Sequence, residues 1–169
     1  RAKADAAGGR LRREPSDLRQ AIEAAVDTFR PGFVRKEISV QLDAPSDSCM
    51  LSADRNAMAR VLRNLTDNAV QYTPRGASVV IGAICTEDQV VITYSNPAED
   101  LLPEDMPLLF ERFYRGEKSR SREHGGAGIG LALVKELVKA HGGTVNATLS
   151  NSRICIRITL PRYPVDPTL

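Results

Sequence analysis

Arg60-Val61-Leu62-Arg63-Asn64-Leu65-Thr66-Asp67-Asn68-Ala69-Val70-Gln71-Tyr72-Thr73-Pro74 reads as the body of one amphipathic helix that carries two asparagines. On an ideal helix at about 100° per residue, Met58, Val61, Leu62, Leu65, Ala69 and Tyr72 share a face, which is the core face. Asp54 supplies an N-cap upstream, and Pro74 with Gly76 closes the helix. Asn64 and Asn68 stand four apart, so they neighbour each other at the border of the apolar stripe, half buried beside a cleft. Asparagine is an indifferent helix former. Its carboxamide oxygen is a hard, neutral ligand, suited to a Mg²⁺ ion that arrives with phosphates and keeps several waters. The plainer alternative is a pair of helix-surface asparagines.

Around this helix the pattern predicts alternating elements. Ser16 is a candidate N-cap for a helix bearing Leu18, Ile22, Ala25, Val26 and Phe29, which Pro31 stops. Ile38, Val40 and Leu42 alternate as in a half-buried strand, with Cys49 to Ser52 as a short partner. Ser78–Cys85 and Gln89–Asn96 form an antiparallel hairpin, a helix runs from Gly128 to Ala140, and Thr144–Leu149 and Arg153–Leu160 finish the sheet. Residues 97 to 127 lack a sustained period, and so long a connection inside one domain marks a lid or binding loop. The order predicts an α+β domain with helices on one face of a largely antiparallel sheet. Residues 1–16 read as the end of an upstream element plus a linker, 17–162 as the domain, and 163–169 as a tail.

Composition narrows the function classes. The 169 residues suit one domain, and 23 Lys plus Arg against 21 Asp plus Glu give a net charge of +2, so nothing argues for nucleic acid. The longest apolar run, Ala77 to Cys85, is far short of the ~20 residues of a membrane helix. Cys49, Cys85 and Cys155 are widely spaced, odd in number and without a Cys-x-x-Cys motif, which suggests a reducing, cytosolic setting.

Glu123-His124-Gly125-Gly126-Ala127-Gly128-Ile129-Gly130-Leu131-Ala132-Leu133-Val134 places four glycines immediately before a helix, where backbone N–H groups can approach a phosphate. A P-loop is excluded because no Gly-Lys-Ser/Thr occurs. A dinucleotide fingerprint fails because Leu131 takes the place of the third glycine.

Taken in order, residues 60–74 resemble the N box of sensor histidine kinases, Leu109-Phe110-Glu111-Arg112-Phe113-Tyr114-Arg115 their F box, and residues 125–134 their G2 box, with His141-Gly142-Gly143 closing the next helix. The chain therefore resembles the catalytic ATP-binding domain of a bacterial two-component histidine kinase, of the Bergerat fold. That resemblance implies ATP and Mg²⁺ as cofactors, Asn68 as metal ligand and Asn64 supporting metal or phosphate. It further implies Tyr72 and Asn96 at the adenine, and Arg115 and Lys118 on the phosphates from the lid. Gly126, Gly128, Ile129, Gly130 and Leu131 would form the lid hinge and helix start. Its implied partners are a dimerisation domain bearing the phosphoacceptor histidine and a response regulator. The domain itself would be cytoplasmic, and the full-length protein a membrane-associated homodimer.

Three departures from the family pattern stand out. Asn96-Pro97-Ala98-Glu99-Asp100 occupies the place of the adenine-binding Asp-x-Gly-x-Gly; the neutral acceptor weakens that contact by on the order of 1 kcal/mol. Gln71 stands where Lys is frequent, and Arg153-Ile154 where Gly-Thr is common. These allow a second reading, a degenerate module that works through protein contacts.

Overall fold

The computed structural model describes residues 10–111 and 127–162. Its chain order is β1 (Arg13–Asp17), α1 (Leu18–Thr28), α2 (Arg30–Arg35), β2 (Ser39–Asp43), β3 (Met50–Asp54), α3 (Arg55–Tyr72), β4 (Ser78–Cys85), β5 (Gln89–Pro97), a 3-10 turn (Pro103–Leu108), α4 (Ala127–Ala140), β6 (Thr144–Ser150) and β7 (Arg153–Pro161). Five strands form one sheet in the order β2-β4-β5-β7-β6. Among the described residues only the β2–β4 pairing is parallel. The mixed, mostly antiparallel sheet under helices is the fold class that the sequence predicts.

Alternation builds the core. Val79, Ile81 and Ala83 of β4, Val90, Ile92 and Tyr94 of β5, and Ile154, Ile156, Ile158 and Leu160 of β7 are buried. On each strand the inward-facing residues are spaced by two, as a half-covered sheet requires. Against them lies α3, flanked by α1 and α4. It buries Met58, Val61, Leu62, Leu65 and Ala69, the stripe expected from its period, together with Thr66 and Asn68. Each large apolar side chain sealed here contributes roughly 1.5–3 kcal/mol.

A polar contact crosses this core between α3 and β5. Thr66 donates its hydroxyl proton to the Leu62 carbonyl at 2.7 Å, so the bond of 2.8 Å between the Thr66 and Tyr94 hydroxyls has Tyr94 as donor. Burial pushes the Tyr94 hydroxyl well above its ordinary pKa, against the opposing effect of that bond, so the proton stays in place.

Several local expectations need correction. The cap of α1 is Asp17, which accepts from the Gln20 amide at 3.2 Å, whereas Ser16 lies in β1. Pro31 does not simply end the first helix; it opens α2, where a missing N–H costs nothing. β3 pairs with β1 and not with β2, so residues 13–16, whose composition suggested a linker, are in a two-stranded sheet. The cysteines are not all free thiols either. Cys49 and Cys85 are disulfide-bonded, and Cys155 is free. They are 36 positions apart, and chain folding, invisible in their spacing, brings them together.

The end of α4 is fixed by geometry. Gly142 takes φ 79°, and a Cβ on Gly143 would collide with the Thr159 carbonyl, so this helix can close against β7 only through glycine. His141 is buried beside them. Its Nδ1–H donates to the Leu137 carbonyl at 2.8 Å, and its Nε2 accepts from the Asp54 amide at 3.1 Å, tying α4 to the start of α3. Desolvation lowers its pKa, with Arg13 adding to the effect, while the Leu137 bond and the Asp54 charge oppose it.

A folded pKa below the unfolded value of about 6.5 means that the unfolded chain takes up the proton first as pH falls. The stability this residue contributes is complete above about pH 6.5 and is lost as pH drops through the folded value. Denaturant unfolding should therefore show stability declining below pH 6.5 by at most about 1.4 kcal/mol per pH unit from this group. His141→Gln should flatten that decline, and an unchanged slope would contradict the assignment.

Candidate functional site

α3 and β5 bring together the two asparagines that the sequence places far apart. Asn68 and Asn96 are 7% and 5% exposed, and both line a small cavity with Leu65, Ala69 and Tyr72 of α3 and Tyr94 of β5. Ile154 and Ile156 of β7 form its floor directly across from Asn96 and Tyr94 in the strand register. Leu131 of α4 and Leu101 and Leu109 from the segment after β5 close it.

The free space is about 20 Å³, room for roughly one water. A purine ring can enter only if side chains give way. Leu101 and Leu109, 7% and 6% exposed, are on the one wall that belongs to no regular strand or α-helix. That wall is anchored at both ends. The Ala98 amide donates to the Ser152 carbonyl in the β6–β7 turn at 2.8 Å, and the buried Asp105 carboxylate accepts from the Leu102 amide at 3.0 Å.

The two asparagines present different atoms. Asn68 Nδ2 is buried without a hydrogen-bond partner among the described residues. Asn96 Nδ2 donates one of its two hydrogens to the Pro97 carbonyl at 2.9 Å, which sets the orientation of the amide and leaves Oδ1 as its acceptor. Asn64 is half buried one turn before Asn68 and lies outside the cavity lining. Asp67 accepts from Gln71 Nε2 at 3.2 Å. Lys36 donates to the Val70 carbonyl at 2.8 Å and so caps the end of α3. Among the described residues no group of three His, Cys, Asp or Glu could hold a metal, so an ion at Asn68 needs oxygens from its ligand.

Asn68, Tyr72, Asn96 and Leu131, which the resemblance assigns to one site, line one cavity. Gly128 and Gly130 lie in the first turn of α4, as does Ile129. Arg115, Lys118, Gly126 and the side chain of Ile129 lie outside the described residues. Sequence reading missed Tyr94, Leu101, Leu109, Ile154 and Ile156 as site residues. For three of them a signal existed: Tyr94 and Asn96 share a face of β5, and Ile154 and Ile156 alternate on the strand paired with it. A larger groove of about 580 Å³ opens between α1 and α3, lined by Ser16, Asp17, Gln20, Ala24 and Met58 among others, and contains no residue expected to bind ligand.

Comparison with known proteins identifies the family. Residues 53–164 match the model of the histidine kinase-, DNA gyrase B- and HSP90-like ATPase family. The chain is 41% identical over 122 residues to the sensor histidine kinase CusS of Escherichia coli K12, covering 72% of this chain and 25% of that protein. It is 35% identical over 148 residues to the signal transduction histidine-protein kinase BaeS of the same organism, covering 87% of this chain and 32% of that one. It spans about a quarter to a third of these relatives' length. In fold it is similar to histidine kinase ThkA, solved in complex with the response regulator TrrA, with a TM-score of 0.75 over 90% of this chain and 42% of that one at 18% identity. The chain belongs to the histidine kinase-, DNA gyrase B- and HSP90-like ATPase family, as an ATP-binding catalytic domain of the sensor histidine kinase type.

Proposed function

We propose that this domain holds Mg-ATP among α3, β5, β7 and α4 and presents the γ-phosphate to a histidine on a separate dimerisation domain, for relay to a response-regulator aspartate. In the full-length protein, by this reading, two copies associate through that domain, at the membrane, with the catalytic domain in the cytoplasm. The supporting observation is Asn68, whose buried amide nitrogen lacks a partner among the described residues, in a cavity shared with Asn96 and Tyr72. A buried, unpaired amide costs about 1–3 kcal/mol, which a ligand oxygen removes.

Asn68 fits a magnesium site, with Asn64 one turn away as support. Its oxygen can ligate the ion while its nitrogen donates to a phosphate. The bound ion would neutralise phosphate charge during transfer. Asn96 Oδ1 accepts from the adenine 6-amino group, and Tyr72, Leu131 and Ile154 enclose the rings. Gly128 and Gly130, with Gly126 before them, let the start of α4 approach the phosphates, and Arg115 and Lys118 neutralise them from the lid. Water is poorly activated here, because Asn64 cannot act as a base and the Asp67 carboxylate is engaged by Gln71. That favours transfer to an imidazole over hydrolysis.

The test supplies the dimerisation domain in trans with ATP and Mg²⁺. Wild type should form phosphohistidine, and Asn68→Ala should bind the nucleotide at least roughly tenfold more weakly, the loss of one well-placed polar contact. Equal binding by both would remove Asn68 from the metal site, and nucleotide binding without phosphohistidine would favour a non-catalytic interaction module. Inosine triphosphate isolates the role of Asn96, since it differs from ATP by an acceptor oxygen in place of the 6-amino donor. With the Asn96 amide oriented by its bond to Pro97, ATP should bind several-fold more tightly than ITP; equal affinities would show that the amide turns over freely.

A further inference from the structure

We propose that Cys49 and Cys85 form a reversible thiol–disulfide site that locks the start of the domain to its main sheet when oxidised. Cys49 directly precedes β3, which pairs with β1, and its carbonyl accepts from the Leu18 amide at 3.0 Å, at the first residue of α1. Cys85 ends β4 in the five-stranded sheet. The disulfide therefore joins the two sheets where the chain enters the domain.

Two observations make this bond exchangeable as well as structural. Cys85 is partly exposed while Cys49 is buried, so a reductant reaches one sulfur more readily than the other. Reduction also leaves the joint a second fastening: the Arg162 guanidinium donates to the Met50 carbonyl at 2.9 Å and to the Thr86 carbonyl at 2.8 Å, one residue beyond each cysteine. The joint loosens on reduction and does not come apart.

The exchange partner is a dithiol reductant. One of its thiolates attacks Cys85 Sγ, the S–S bond breaks, and Cys49 leaves as a thiolate that takes up a proton. The reductant's second thiol, losing its proton, then displaces Cys85 from the mixed disulfide, giving two protein thiols and an oxidised reductant. A small disulfide such as glutathione disulfide drives the reverse reaction. Nothing in this chemistry draws on the nucleotide reading.

The full chain should be treated with glutathione disulfide or with a dithiol reductant, then alkylated under denaturing conditions and weighed. One thiol should be labelled after oxidation and three after reduction. The oxidised protein should melt higher by roughly 5–10 °C, as a cross-link closing a loop of this length implies, and β1 and β3 should exchange amide hydrogens more slowly. Cys155→Ser should keep the full response, and Cys49→Ser or Cys85→Ser should each abolish it while melting like the reduced wild type. Three labelled thiols after oxidation, or a melting temperature and exchange indifferent to redox state, would overturn the proposal.

Discussion

A single buried hydroxyl pair sets the geometry of the whole site. Tyr94 of β5 and Thr66 of α3 meet inside the apolar core, where a hydroxyl without a partner is costly, so the helix can rest on the sheet at one height only. Sliding α3 by one turn would strand the Tyr94 hydroxyl, whereas Thr66 would keep its bond to Leu62 within the helix. Each lies two residues before a site asparagine: Thr66 before Asn68, Tyr94 before Asn96. The contact that orders the core thereby fixes which side chains face the cavity.

The remaining parts are supports for that arrangement. His141 and the Gly142-Gly143 close hold α4 against the start of α3 and the C-terminal end of β7, and α4 carries Leu131 to the cavity. Lys36 secures the opposite end of α3. Less constrained is the wall made by Leu101 and Leu109. It is tied at Ala98 and Asp105 by hydrogen bonds, and its two leucines line the cavity. At about 20 Å³, the space in this conformation is such that a ring-sized ligand entering this cavity would have to move Leu101 and Leu109 aside.

What could be read from the sequence follows the range of the interactions. α3 with its Asp54 cap, the β4–β5 hairpin, α4 and β6–β7 rest on period and capping, which are local, and they stand where the pattern puts them. Asn64 and Asn68 were singled out by helical spacing, and Asn96 by its place where the resembled family carries its adenine-binding aspartate. Leu101 and Leu109 were illegible because residues 97–111 have no period that would mark an inward face. The β1–β3 pairing and the Cys49–Cys85 bond depend on segments brought together only by the finished fold, and no short-range signal encodes them. The choice of Asp17 over Ser16 as cap shows the same limit on a small scale: both residues suit the role and both pair with β3, and Asp17 caps because the helix starts at Leu18, whose amide is held by the Cys49 carbonyl.

The central claim, that the hydroxyl pair positions the nucleotide site, is tested most directly by a double-mutant cycle read in ATP affinity. Thr66→Val and Tyr94→Phe should each weaken binding by roughly three- to tenfold, and the double variant should bind no worse than the weaker single, since either change already breaks the bond. Losses that multiply in the double variant, or ATP affinity unchanged in folded single variants, would contradict the account.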